Sequence, residues 1–86
     1  MAAQRFSRLQ RSILRCLFAQ YQHTQGYMAM GHLELVQTLG RDKSNISHSL
    51  RTLETRGLIE IGRTPGGKAD WLDLTAAGRK VASEIA

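Results

Sequence analysis

The stretch from Leu39 to Ile59, LGRDKSNISHSLRTLETRGLI, constrains the fold of this chain more than any other. It reads as a turn at Gly40, a helix opened by Asp42 as N-cap and running to Arg56, and a stop at Gly57, a residue suited to the position just past a helix end. At about 100° per residue, Ile46, Leu50 and Leu53 fall on one side of that helix. Ser44, His48, Arg51 and Thr55 fall on the other, with Ser47 beside them. The first side must be buried. The second is polar, able to hydrogen-bond and free of acid, which suits the major groove of DNA.

The flanks give this helix a context. From Phe6 to about Tyr21 the chain has a helical period, with Phe6, Leu9, Ile13, Leu17 and Tyr21 on one face, Leu14 and Cys16 at its edges, and Arg8, Arg11 and Arg15 opposite. That basic face reads either as a solvated surface or as a strip that feels a polyanion. Gln22 to Gly31 is a connection, and Tyr27 to Met30 is a candidate short strand in which the methionines fill core space. Leu33 to Leu39 is a short helix with Leu35, Val36 and Leu39 inward, so Gly40 becomes the tight turn of a helix-turn-helix. After Gly57 the period shortens. Leu58 to Ile61 and Trp71 to Leu74 are strand-like, with Leu72 and Leu74 on one face, and the turn-rich GRTPGGKAD lies between them. They form a β-hairpin whose tip carries Arg63 and Lys68, with Trp71 a packing anchor at its base. Thr75 is the N-cap of a last helix bearing Val81 and Ile85 at i, i+4. The expected fold is mainly α with a small β-hairpin. It forms one domain over residues 1–86, divided into a first helix (1–22), a helix-turn-helix (33–57), a hairpin (58–74) and a last helix (75–86).

With 12 Lys and Arg against 7 Asp and Glu, the chain carries a net charge of +5. That balance favours an anionic partner without choosing between DNA, RNA and an anionic membrane. Residues 1–20 carry four arginines and no acid. A single cysteine, Cys16, forms no internal disulfide, which fits a reducing compartment and a cytoplasmic protein. No apolar run approaches the ~20 residues of a membrane span. The N-terminus lacks the apolar core of a signal peptide.

The order helix, short strand, helix, helix, hairpin, helix resembles the winged helix-turn-helix domain of the MarR family of transcription regulators. The likeness is densest in LVQTLGRDKSNISHSLRTLETRGLIE and is echoed by LTAAGRKV, which is similar to the family's Leu-Thr-x-x-Gly-Arg run after the wing. It covers roughly residues 30 to 86, and its specificity comes from the order and spacing of degenerate motifs. The resemblance implies a DNA-binding regulator whose Asp42-to-Arg56 helix enters the major groove while the hairpin wing lies on the adjacent backbone or minor groove. Lys43, Ser44, Asn45, Ser47, His48 and Arg51 match the family's DNA-facing positions. Arg41 stands where the family usually has an apolar residue. Lys68-Ala69-Asp70 stands near the place of the family's Asp-x-Arg wing motif, so Arg63, then Lys68, become the substitutes for its arginine. The family dimerises through long terminal helices that frame an effector pocket. The last helix here is expected to end at Ala86, which leaves little chain for that pocket, so a small-molecule effector is not expected. A homodimer is expected, with Leu17, Val81 and Ile85 at its interface.

The residue chemistry agrees with that placement. Ser44, Ser47, His48 and Arg51 are expected on bases, with Asn45 beside them and set off to one side. A serine hydroxyl serves either role, an amide suits adenine and a guanidinium suits guanine. Arg41, Lys43, Thr55, Arg63 and Lys68 are expected on the phosphate backbone, where contacts fix register but carry little sequence information.

Other signals fail. Gly62 to Lys68 matches the phosphate-loop pattern G-x-x-x-x-G-K, but Ala69 stands where Ser or Thr must hold magnesium, and a strand follows where a helix is needed. His23, His32 and His48 lack partners at metal-ligand spacing. No carboxylate pair or nucleophile–base set stands out, so neither an enzyme nor a cofactor is expected. The leading expectation is a sequence-specific regulator of double-stranded DNA. The alternative is a winged-helix protein–protein interaction module whose basic face is incidental. RNA ranks below both, for want of an exposed aromatic row.

Overall fold

A reciprocal cap opens the first helix. In the computed structural model, which describes residues 5–85, the Ser7 hydroxyl accepts the Gln10 backbone N–H and the Gln10 side chain accepts the Ser7 N–H. This capping box satisfies two of the donors that a helix start leaves free. It sets the start of α1 (Arg8–Thr24) two residues later than the hydrophobic period suggests. There follow β1 (Met30–Gly31), α2 (His32–Leu39), α3 (Lys43–Thr55), β2 (Ile59–Arg63), β3 (Ala69–Leu74) and α4 (Ala76–Ile85). Residues 1–4 and 86, the outer ends of the expected first and last segments, lie outside the described residues.

The expected hairpin is one part of a three-stranded antiparallel sheet in the order β1-β3-β2. Met30 pairs with Leu72 and Gly31 with Trp71, so the candidate strand at Tyr27–Met30 reduces to two residues, Met30 and Gly31. Tyr27 and Met28 are exposed. Strands β2 and β3 run from Ile59↔Leu74 to Gly62↔Trp71, and a register shift follows between Gly62 and Arg63. The loop between them is short. The Thr64 N–H donates to the Lys68 carbonyl at 2.8 Å, and the Gly67 N–H, at a positive φ of 84°, donates to the Thr64 carbonyl. Arg63 therefore belongs to a strand rather than to the tip.

Among the described residues, thirteen buried apolar side chains form the core. Ile13, Leu14 and Leu17 of α1 meet Leu35, Ile46, Leu50, Leu53, Leu58, Ile59, Leu72, Leu74, Ala82 and Met30. Each fully buried Leu or Ile contributes about 1.5–3 kcal/mol. Leu17 is 3% exposed and packed inside this cluster, so it is not a surface residue available for pairing. The α1 wheel placed Leu17 within the apolar stripe but did not show how fully the rest of the fold covers it. Val81 and Ile85 are half-buried against the same cluster. Tyr21 is half-buried, its ring under the Arg79 guanidinium at 4.9 Å. Cys16 is half-buried, with its Sγ 3.7 Å from the Met30 Sδ. Burial, reinforced by the Glu34 charge, pushes the Cys16 thiol up, which suits an inert packed sulfur.

Two glycines allow close approaches. At Gly62 a Cβ would run into the Trp71 indole, which lies across the strand opposite it. At Gly78 a Cβ would run into the Leu58 carbonyl oxygen, where α4 crosses the start of β2. Gly62→Ala is expected to displace the half-exposed indole, costing about 1–2 kcal/mol and shifting tryptophan emission to the red. Unfolding followed by fluorescence measures both.

Candidate nucleic-acid interface

Helix α3 is positioned at both ends. At its start, Gly40 takes a left-handed φ of 61° and closes α2 by donating its N–H to the Val36 carbonyl. Asp42 occupies the N-cap position, but its side chain makes no capping hydrogen bond. At its end, Gly57 is left-handed, at φ 76°. The Leu58 N–H reaches the Leu53 carbonyl and the Gly57 N–H the Glu54 carbonyl. This paired closure is a Schellman motif, and the Leu53 and Leu58 side chains, both buried, complete it. The buried face holds Ile46, Leu50 and Leu53, joined by Ser49.

The opposite face is open. Ser44, Asn45, His48, Arg51 and Thr55 are exposed and Ser47 is half-buried. Lys43, Ser44, Ser47, His48 and Arg51 share one shallow depression of about 410 Å³. Asn45 and Thr55 do not line it, in keeping with the sideways position of Asn45, and the exposed Arg41 lies apart from it.

A larger cleft of about 560 Å³ runs between this face and the wing. Lys43, Ser47, Leu50 and Arg51 line one wall, Ile61, Arg63, Thr64 and Gly67 to Ala69 the other, and His32 and Leu33 one end. Among these lining residues there are four Lys or Arg side chains and no acid. The wing and α3 thus share one basic concavity, which brings Lys68 and Arg63 to the same space as Arg51 and Lys43.

Arg63 is not free there. Its guanidinium grips the Glu54 carboxylate of α3 in a two-pronged pair at 2.9 and 3.1 Å. The two side chains are 40% and 34% exposed. The Arg63 hydrogen bonds hold the Glu54 carboxyl below its ordinary value, and the same pair holds the guanidinium up. The wing arginine expected on the DNA backbone is thus held by Glu54 in the free chain. Sequence reasoning missed Glu54 because its partner lies nine residues on, beyond a glycine stop, where no helical spacing links them.

His32 was also missed as a cleft residue. It is the first residue of α2 and is 8% exposed. Its pKa is lowered from 6.5 by burial first and by the Lys43 charge second. Below about pH 6.5 the unfolded chain then takes up a proton that the folded chain resists. Stability is fully present above that pH and falls as pH drops towards the depressed native value. Urea midpoints at about pH 7.5 and about pH 5.5 should show that decline, and His32→Gln should flatten it.

Other cations serve the fold. Arg15, expected on the free basic face of α1, donates to the Ile85 carbonyl at the end of α4. Arg56 lies over the Phe6 ring and donates to the Arg5 carbonyl. Arg79 donates to the Leu74 carbonyl while covering Tyr21. Thr75 caps α4 through the Gly78 N–H and ties it to the Gly57 carbonyl. The LTAAGR run is thus a structural latch between α4, the wing base and the end of α3.

No protein-family model and no curated sequence matches this chain. Solved structures do. MepR of Staphylococcus aureus in complex with DNA superposes at a TM-score of 0.72 and 23% identity, covering 91% of this chain and 54% of MepR. PcaV, a transcriptional regulator from Streptomyces coelicolor in complex with its natural ligand, gives 0.76 at 24% identity, covering 99% and 56%. BpsR of Bordetella bronchiseptica, whose DNA binding is regulated by 6-hydroxynicotinic acid, gives 0.76 at 17% identity, covering 99% and 60%. These are MarR-family transcription regulators with winged-helix domains. This chain has their fold. It spans little more than half the length of each. The expectation that an effector is absent gains no support, because PcaV was solved with a ligand and BpsR responds to one. No helix among the described residues is long and apolar enough to cross a membrane, and no group of three metal-ligating side chains assembles among them.

Proposed function

We propose that the chain is a MarR-like, sequence-specific DNA-binding transcription regulator, with α3 in the major groove and the wing on the adjacent backbone or minor groove. The observation that carries this reading is the acid-free concavity shared by α3 and the wing. A fold held in common with a regulator solved on DNA supports it. Ser44, Ser47, His48 and Arg51 face base edges, with Asn45 at the margin. Arg41, Lys43, Thr55 and Lys68 face phosphate. Arg63 reaches phosphate only after parting from Glu54. The protein acts in the cytoplasm as a homodimer, with Val81 and Ile85 at its interface. Two such helices then enter successive major grooves about one helical turn apart.

A salt series of mobility-shift titrations on duplex DNA tests the reading. The logarithm of affinity should fall linearly with the logarithm of salt, by about 0.9 for each phosphate contacted. Binding that is absent at ~50 mM salt, together with recovery of a specific protein partner, would instead support an interaction module with an incidental basic face. Light scattering decides the dimer.

A further inference from the structure

Glu54 is the one acid in α3 and sits three residues after Arg51. On the helix wheel it falls beside Lys43 and Ser47, which line the cleft, while Glu54 itself is not among the lining residues. From there its carboxylate takes both prongs of the Arg63 guanidinium, across the gap between recognition helix and wing. The remaining cations of the cleft, Lys43, Arg51 and Lys68, have no acid among the lining residues. An exposed pair of this kind adds little to stability, so its consequence lies in what it does to Arg63. A guanidinium fork matches carboxylate and phosphate oxygens equally well. The fork that holds Glu54 is therefore shaped to hold a phosphate, but cannot hold both fully.

We infer that Glu54 is a positioning and restraining residue of the interface: it fixes the wing base against α3 in the free protein and competes with DNA phosphate for Arg63. The inference rests on the DNA-binding reading above. On binding, the exchange of carboxylate for phosphate at the Arg63 fork stays incomplete, because Glu54 continues to hold the guanidinium. The wing contact is thereby made weaker than the charge of the chain alone implies. Its weakness is independent of base sequence, because the exchange involves only the backbone.

The test is duplex binding by the full chain and by E54Q, R63Q and the double variant, over a salt series and on several unrelated duplexes. E54Q should bind every duplex about threefold more tightly at ~0.1 M salt, and its salt slope should steepen by about 0.9, the mark of one added phosphate contact. In the R63Q background the same change should have no effect on the slope. Free of DNA, E54Q should show larger fast motions of the wing amides in nitrogen relaxation measurements. Wild-type binding that E54Q leaves unchanged or weakens, or an equal steepening of the slope in the R63Q background, overturns this inference alone. A wild-type chain with no salt-dependent duplex binding removes the DNA reading and this inference together.

Discussion

Gly78→Ala is expected to cost the fold about 2–4 kcal/mol, the largest effect of any single methyl group in the chain. On helix propensity alone the change should help, by up to about 1 kcal/mol. Packing wins because the added Cβ meets the Leu58 carbonyl oxygen, a backbone atom that cannot rotate away. That oxygen also accepts the Thr75 N–H at 3.0 Å. Moving α4 outward would therefore break the latch at Thr75 and expose Ala82, which is fully buried. Gly40→Ala is the control. Gly40 has a left-handed φ but open space around its Cβ position, so that change should cost only the conformational strain of about 1 kcal/mol. Urea unfolding of the two variants separates a steric clash from a backbone preference.

Arg51→Ala is expected to have the largest effect on recognition. Arg51 is the long side chain in the middle of the outer face of α3, exposed and at the junction of the shallow depression with the cleft. In the proposed complex a guanidinium there would reach the floor of a major groove, and a bidentate contact to guanine discriminates by about ten- to a hundredfold. Loss of Arg51 should collapse the affinity difference between the preferred duplex and unrelated ones. Uniform weakening of all duplexes would instead reassign Arg51 to phosphate. Duplexes selected in vitro from a random pool by the unaltered chain, then titrated with the variant, decide between the two. His48→Ala should relax the preference less, since a histidine ring makes a shorter contact.

The fold was legible wherever a pattern was long enough to show its period. Helix α3 had thirteen residues, a buried row and a glycine stop, and its expected bounds are one residue too wide at each end. The third strand was not legible, because two residues, Met30 and Gly31, show no alternation. Leu17 was misplaced because a wheel shows which residues share a face but not how deeply each sinks once α3, α4 and the sheet cover it. The open polar face of α3 was legible in the sequence, and its relation to the wing less so. The shared exposure of Ser44, His48 and Arg51 follows from spacing within one helix. The Glu54–Arg63 pair depends on how the hairpin folds back, and Gly78 looked like a motif residue until the Leu58 carbonyl beside it gave the reason.

In the proposed complex α3 and the wing together form one surface for duplex DNA. The most direct test of that proposal is a nitrogen–proton correlation spectrum of the labelled chain, recorded as duplex is added. The largest shifts should map to Lys43–Thr55 and to Arg63–Lys68, with exposed α4 residues such as Ser83 and Glu84 little changed. Shifts concentrated on α1 and α4, or an unchanged spectrum at saturating duplex, would contradict it.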